Sequence, residues 1–166
     1  MLFRFKEKKQ NLSDLLTKQE EIGFRVLMNE TVKLEKNGAT IDLIGIENWG
    51  KGRFAKYGDL EKAINGSSDE NFQILMSHDP SHWDEEVLTK TNIDLALAGH
   101  THGMQFGIEI AGLKWSPVKY RYPRWGGLYS EGNQHLYVNR GFGYIGFPGR
   151  VGMPPEITLI EFHKKV

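Results

Sequence analysis

Asp94-Leu95-Ala96-Leu97-Ala98-Gly99-His100-Thr101-His102-Gly103 decides the reading of this chain. Leu95 to Ala98 is a short apolar run closed by a glycine, the pattern of a buried strand. Gly99 can take a positive φ at no steric cost, so the backbone can leave the sheet sharply there. His100 and His102 then fall on a loop at the strand's C-terminal end, where open α/β sheets place ligand chemistry. Neutral imidazole is the commonest side-chain ligand of transition metals.

Asn71-Phe72-Gln73-Ile74-Leu75-Met76-Ser77-His78-Asp79-Pro80 repeats that grammar: an apolar strand, a terminal histidine, a breaking Asp-Pro. Two strands of one α/β unit, each ending in histidine, bring His78, His100 and His102 to a single edge as a metal half-site. The plainer alternative is a set of surface or core histidines held by the backbone. The Gly-His-Thr-His-Gly loop after a buried strand favours the site.

His78 followed by Gly99-His100-Thr101-His102-Gly103 resembles the last two motifs of the calcineurin-like metallophosphoesterases. Ser77-His78-Asp79-Pro80, the run Gly99 to Gln105 and the terminal Arg150-Val151-Gly152-Met153-Pro154-Pro155-Glu156-Ile157 resemble that family's bacterial, often membrane-anchored phosphohydrolase branch. Met104 stands where the branch has a second glycine. The family's Asp-x-His, its Gly-Asp with a bridging aspartate and its Gly-Asn-His are missing; Gly132-Asn133 is followed by Gln134.

The resemblance therefore implies a C-terminal half: an α/β fold, half of an αββα sandwich, with a mixed sheet and flanking helices. Residues 1–166 are expected to form a single partial domain, with 1–10 a frayed linker. The implied activity is phosphoester hydrolysis at a dinuclear centre of manganese, iron or zinc. His78, His100 and His102 are the expected metal ligands and catalytic residues. Without the bridging carboxylate, this chain alone is expected to hold at most one ion weakly and to turn over little. Two alternatives come from other classes: a noncatalytic domain with one three-histidine metal site, and a mononuclear zinc hydrolase.

Composition sets bounds. With 166 residues there is enough chain for one modest core. Lys plus Arg equals Asp plus Glu at 21 each, so no global charge draws the chain to nucleic acid or an anionic membrane. No cysteine is present, which removes disulfides and thiolate metal sites. No apolar run approaches the ~20 residues of a membrane span. Any membrane association is expected to come from a segment outside this sequence; a cytoplasmic location is the other expectation.

Along the chain, Asn11 to Ile22 reads as a packing helix stopped by Gly23, and Phe24 to Met28 as a strand. Thr31 to Glu35 and Ala39 to Ile46 alternate about Asn37-Gly38, a hairpin with a type I′ turn. Asn29 and Glu30 read as turn residues rather than ligands. Glu47 to Gly58 is a glycine-rich loop with aromatic and cationic tips. Two readings stand side by side: Arg53 or Lys51 meets the substrate phosphate and Trp49 or Phe54 an apolar or aromatic leaving group, or the loop folds over the core edge. Asp59 caps a short helix, and Ser81 another that starts near Pro80. Gln105 to Ile110 is a strand candidate, and the basic-aromatic run 111–132 a flap for an amphiphilic phosphoester rather than a nucleic-acid surface. His135 to Val138 and Glu156 to Phe162 read as strands, and the turn after Asn139 places Arg140 as a second substrate-binding cation. Small-molecule or lipid phosphoesters are the expected partners, with a homodimer formed through exposed sheet edges.

Overall fold

The computed structural model describes residues 2–50, 52 and 54–163, with side chains from residue 7 onward. Arg53 and Lys51, expected to meet phosphate, lie outside the described residues. Six strands form one mixed sheet in the order β1-β2-β3-β4-β8-β7. They are β1 (Glu30–Lys36), β2 (Ala39–Gly45), β3 (Phe72–Met76), β4 (Leu95–Ala98), β7 (Gly127–Glu131) and β8 (Gln134–Val138). A separate hairpin joins β5 (Ile108–Ile110) to β6 (Leu113–Trp115).

The inner strands β2, β3, β4 and β8 run parallel, and the outer pairs β1·β2 and β7·β8 are antiparallel. Parallel pairing puts the C-terminal ends of β2, β3, β4 and β8 on one edge. The segments after Gly45, Met76, Ala98 and Val138 therefore leave the sheet side by side. His78, His100, His102 and Arg140 lie on those segments.

Local rules explain several elements. Asn37 and Gly38 both have positive φ, at 52° and 75°, as the type I′ turn between β1 and β2 requires. The Asp59 side chain accepts from Lys62 N at 3.0 Å and starts α2 (Leu60–Ile64). Ser81 does not cap its helix. Asp79 accepts from both Ser81 N and Ser81 Oγ instead, and the chain enters a π-helical turn (Trp83–Val87) continued by α3 (Leu88–Lys90).

Period-two alternation buries Ile44, Leu75, Ala96, Leu136 and Val138 on one sheet face. Leu60 and Ala63 of α2, with Trp83, Val87 and Ile93, cover that face. The opposite face is more open: Phe72 and Met76 of β3 stay exposed while Ile74 is buried.

Other expectations change too, and the strand expected over 105–110 is confined to Ile108–Ile110. α1 (Leu2–Glu21) takes in residues read as a frayed linker. Glu7 to Gln10 are good helix formers, and Gln10 reaches Asp14 one turn on at 2.8 Å. Phe24 to Met28 is not a strand. Glu156 to Phe162 lies outside every strand. β8 already pairs with β4 and β7, so it offers that segment no free backbone edge. Side chains fasten the segment instead: Tyr137 to Glu156, Asn139 to Thr158 at 2.9 Å, and Phe162 against Phe72.

Leu75 lies at the centre of the covered face and is wholly buried. Leu75→Ala should cost about 2–5 kcal/mol in urea unfolding, with the same denaturant dependence.

Candidate functional site

β3 ends at Met76, and Ser77 N bonds to Leu97 O at 2.9 Å, carrying the sheet's register one residue further. Gly99 N then donates to His78 O at 3.1 Å. This zipping of the two strand ends sets His78 beside His100. His100 Nδ1 stands 2.9 Å from His78 Nε2, with the rings edge-on at 4.7 Å between centroids. One nitrogen of that pair donates and the other accepts. On its far side His100 Nε2 meets the Tyr122 hydroxyl at 2.8 Å.

The loop between these histidines and β5 is strained. His100, His102, Gly103, Met104 and Gln105 all have φ between 52° and 67°. Such a run persists only where its surroundings over-determine it. The Thr101 hydroxyl donates to Trp125 O at 2.7 Å and accepts from Gly103 N. Ser116 Oγ donates to Gly103 O at 2.8 Å. A Cβ at Gly103 would meet Met153 Sδ at 3.1 Å, so this glycine answers both conformation and space. Met104 occupies the left-handed region that a glycine takes freely, with its side chain turned outward.

His102 comes from the same loop and lies within electrostatic reach of His78 and His100. Its Nδ1 is buried without a hydrogen-bond partner among the described residues. Among the described residues, no three His, Asp or Glu side chains are already arranged around one point that could hold a metal ion. The structure thus joins His78 to His100 directly and places His102 near them.

Burial lowers the pKa of both His78 and His102. His100 adds to the effect at His78, and Arg150 adds to it at His102. Neutral rings have free lone pairs, the state in which a histidine binds a metal.

Behind His78 lies a buried network that the sequence reading missed. Ser77 Oγ is 3.0 Å from Nδ1 of His82, which is wholly buried. Glu86 lies 3.6 Å from His82 Nε2, an electrostatic contact too long for a hydrogen bond. Trp49 stacks on His82 at 5.4 Å and is itself buried, so it packs rather than facing a leaving group. Phe54 of the same loop does reach the edge, 6.5 Å from the His100 ring. Asn29 ties that loop's base: its side chain bonds Glu47 N, Glu47 Oε2, Tyr57 O and Asp59 N.

Arg140 reaches the edge, but its charge is already matched. It bonds Glu156 Oε2 at 2.7 Å and Glu109, with only 11% of its side chain exposed. Burial by itself would raise the Glu156 carboxyl; hydrogen bonds from Tyr137, Arg140 and Thr158 outweigh it and hold the pKa at about 2. Arg140 therefore pins the C-terminal segment to the end of β8, with both carboxylates matching its charge. In the basic-aromatic run 111–132, Arg124 lies over Trp83 and pairs with Asp84 and Glu131, and Lys114 bonds Gly126 O, while Tyr120 and Leu128 stay exposed. Arg150 is an edge residue to which sequence reasoning assigned no role, and Tyr122 was read only as part of the 111–132 flap. Arg150 opens the terminal motif, and that was the available signal.

A parallel-centred α/β sheet with imidazoles gathered at its C-terminal edge defines a class: proteins whose ligand chemistry sits on that edge. Comparison with known proteins narrows it. The chain is 33% identical over 141 residues to the uncharacterized metallophosphoesterase YkuE of Bacillus subtilis (strain 168), covering 82% of this chain and 46% of that protein. It is 32% identical over 148 residues to a transmembrane protein with metallophosphoesterase domain of Danio rerio, covering 84% and 32%. It is 29% identical over 140 residues to the phosphodiesterase YaeI of Escherichia coli (strain K12), covering 84% and 47%. No family model and no solved structure matches it. The chain belongs to the calcineurin-like metallophosphoesterases. It spans about half the length, or less, of these relatives.

The lowered histidine pKa values have a consequence for stability. The folded state prefers neutral His78, His82 and His102, so their contribution is complete above the ordinary value of 6.5. It is lost as pH falls below that value toward the depressed folded ones, because the unfolded chain takes up protons first. Urea unfolding in EDTA should therefore show stability falling between about pH 7 and about pH 5. His82→Gln should flatten that fall.

Proposed function

We propose that this chain carries the histidine half of a metal-dependent phosphoester hydrolase. The observation supporting this most directly is the facing of His78 Nε2 and His100 Nδ1 at 2.9 Å, on the edge where the parallel strands end. The donor chemistry suits a divalent ion. Two imidazole nitrogens already share one small space, and a third, on His102, is buried without a partner among the described residues. His78, His100 and His102 would hold the metal, and divalent ions bound there supply Lewis acidity toward water and the phosphoryl group.

The chain's own residues keep that edge ready. Partial desolvation favours the neutral form of His78 and His102, Tyr122 orients the His100 ring, and Ser77 with His82 fixes the strand end before His78. The Phe54 and Tyr122 rings both stand edge-on to the His100 ring, at 6.5 and 5.2 Å between centroids. Three neutral imidazoles bring no negative charge to balance two dications. This chain by itself therefore takes up one ion weakly and turns over little. A dinuclear centre, by this reading, needs carboxylates from beyond this sequence. Phosphoesters, including lipid-linked ones, are the substrate class, in keeping with relatives named as a phosphodiesterase and as a transmembrane protein with such a domain. The open outer edges of β1 and β7 are where a second copy would pair.

Zinc titration of the chain by calorimetry should give one weak site, with His100→Ala abolishing uptake. With manganese, hydrolysis of an aryl phosphate should stay near background. A His100→Ala chain that binds zinc as well as the parent sinks the proposal.

A further inference from the structure

Among the described residues two arginines, Arg140 and Arg150, approach the histidine edge, and their surroundings differ. Arg140 faces two carboxylates, as described above. Arg150 is half-buried and, among the described residues, is paired with no carboxylate. Its Nε and Nη2 donate to Gly143 O at 2.9 and 2.7 Å, and Nη2 donates to Arg140 O at 2.8 Å. Nη1 makes only a long contact, 3.4 Å, to His102 O.

Carbonyl dipoles orient a guanidinium without cancelling its charge. A partly desolvated cation in that state is costly unless an anion completes it. Nη1 has one hydrogen unassigned and another weakly held, on the side facing the histidine loop. A guanidinium can present such hydrogens to a phosphate oxygen. Its charge is felt at His102, where it helps lower the imidazole pKa.

The mounting is rigid. Arg150 holds one end of the 141–149 loop through Gly143. The buried Gln105 amide holds the other, donating to Phe147 O at 2.8 Å and Gly149 O at 2.7 Å and accepting from Ile145 N. Gln105 also belongs to the histidine loop, so that loop and the arginine are braced together. A cation fixed in advance binds with little loss of side-chain freedom.

Resting on the phosphoesterase reading above, we propose that Arg150 is a substrate-binding residue whose Nη1 receives an oxygen of the phosphoryl group. Its role is recognition of the anion. Arg140 remains a fastening of the fold.

The test uses the metal-free chain and inorganic phosphate, followed through the arginine side-chain Nε–H resonances. Arg150 should shift saturably while Arg140 stays still. Arg150→Lys retains the charge without the planar fork and should weaken phosphate binding about tenfold. Arg150→Gln should remove binding, with the His78 and His100 ring signals unchanged in both variants. An unmoved Arg150 resonance at saturating phosphate overturns the proposal, and so does an Arg150→Gln chain that binds phosphate as the parent does. Should Arg150→Gln fail to fold, the parent's resonance still decides. Since no metal is present, failure here leaves the zinc result standing, and failure of zinc uptake leaves this result standing.

Discussion

The parallel pairing of β3 with β4, continued past the strands by Ser77 N to Leu97 O and Gly99 N to His78 O, is the constraint on which the rest depends. It fixes how far each strand projects before the chain turns. Slipping it by one residue would carry His78 out of line with His100 and turn Leu75 away from the covered face. Core packing and site geometry therefore enforce the same register. The buried Leu75, Ala96 and Leu136 and the 2.9 Å histidine pair are consequences of one alignment.

On that alignment sits a loop that its own residues do not favour. Four non-glycine residues of the histidine loop hold a positive φ. Each conformation of this kind costs on the order of 1–3 kcal/mol. Thr101, Gln105 and Ser116 offset the cost with buried hydrogen bonds to backbone groups of that loop or its neighbours. Strain compensated in this way holds two imidazoles of a short loop at the sheet edge.

Electrostatics separates the groups that hold the fold from those left open to chemistry. Arg124, Arg140, Glu109, Glu131 and Glu156 meet opposite charges and fasten elements together. His102 Nδ1 has no hydrogen-bond partner among the described residues, and Arg150 donates there only to carbonyl oxygens. Formal neutrality of the whole chain hides this division, since a net charge says nothing about which charges are matched.

Some of this was legible in the sequence because it rests on local rules. The hairpin at Asn37-Gly38, the cap at Asp59 and the strands before His78 and His100 follow from backbone conformation and apolar period. The likeness of the Gly99 to Gly103 motif to a known family was equally a property of the string. The tertiary structure alone decided which arginine is matched, that Trp49 turns inward onto His82, and that Glu156 to Phe162 is fastened by side chains rather than paired as a strand. Those outcomes depend on partners distant in sequence, such as Glu109 for Arg140 and Gly143 for Arg150's charge-neutral cradle. Residue type states what a group can do; only the folded neighbourhood determines whether that capacity is already used.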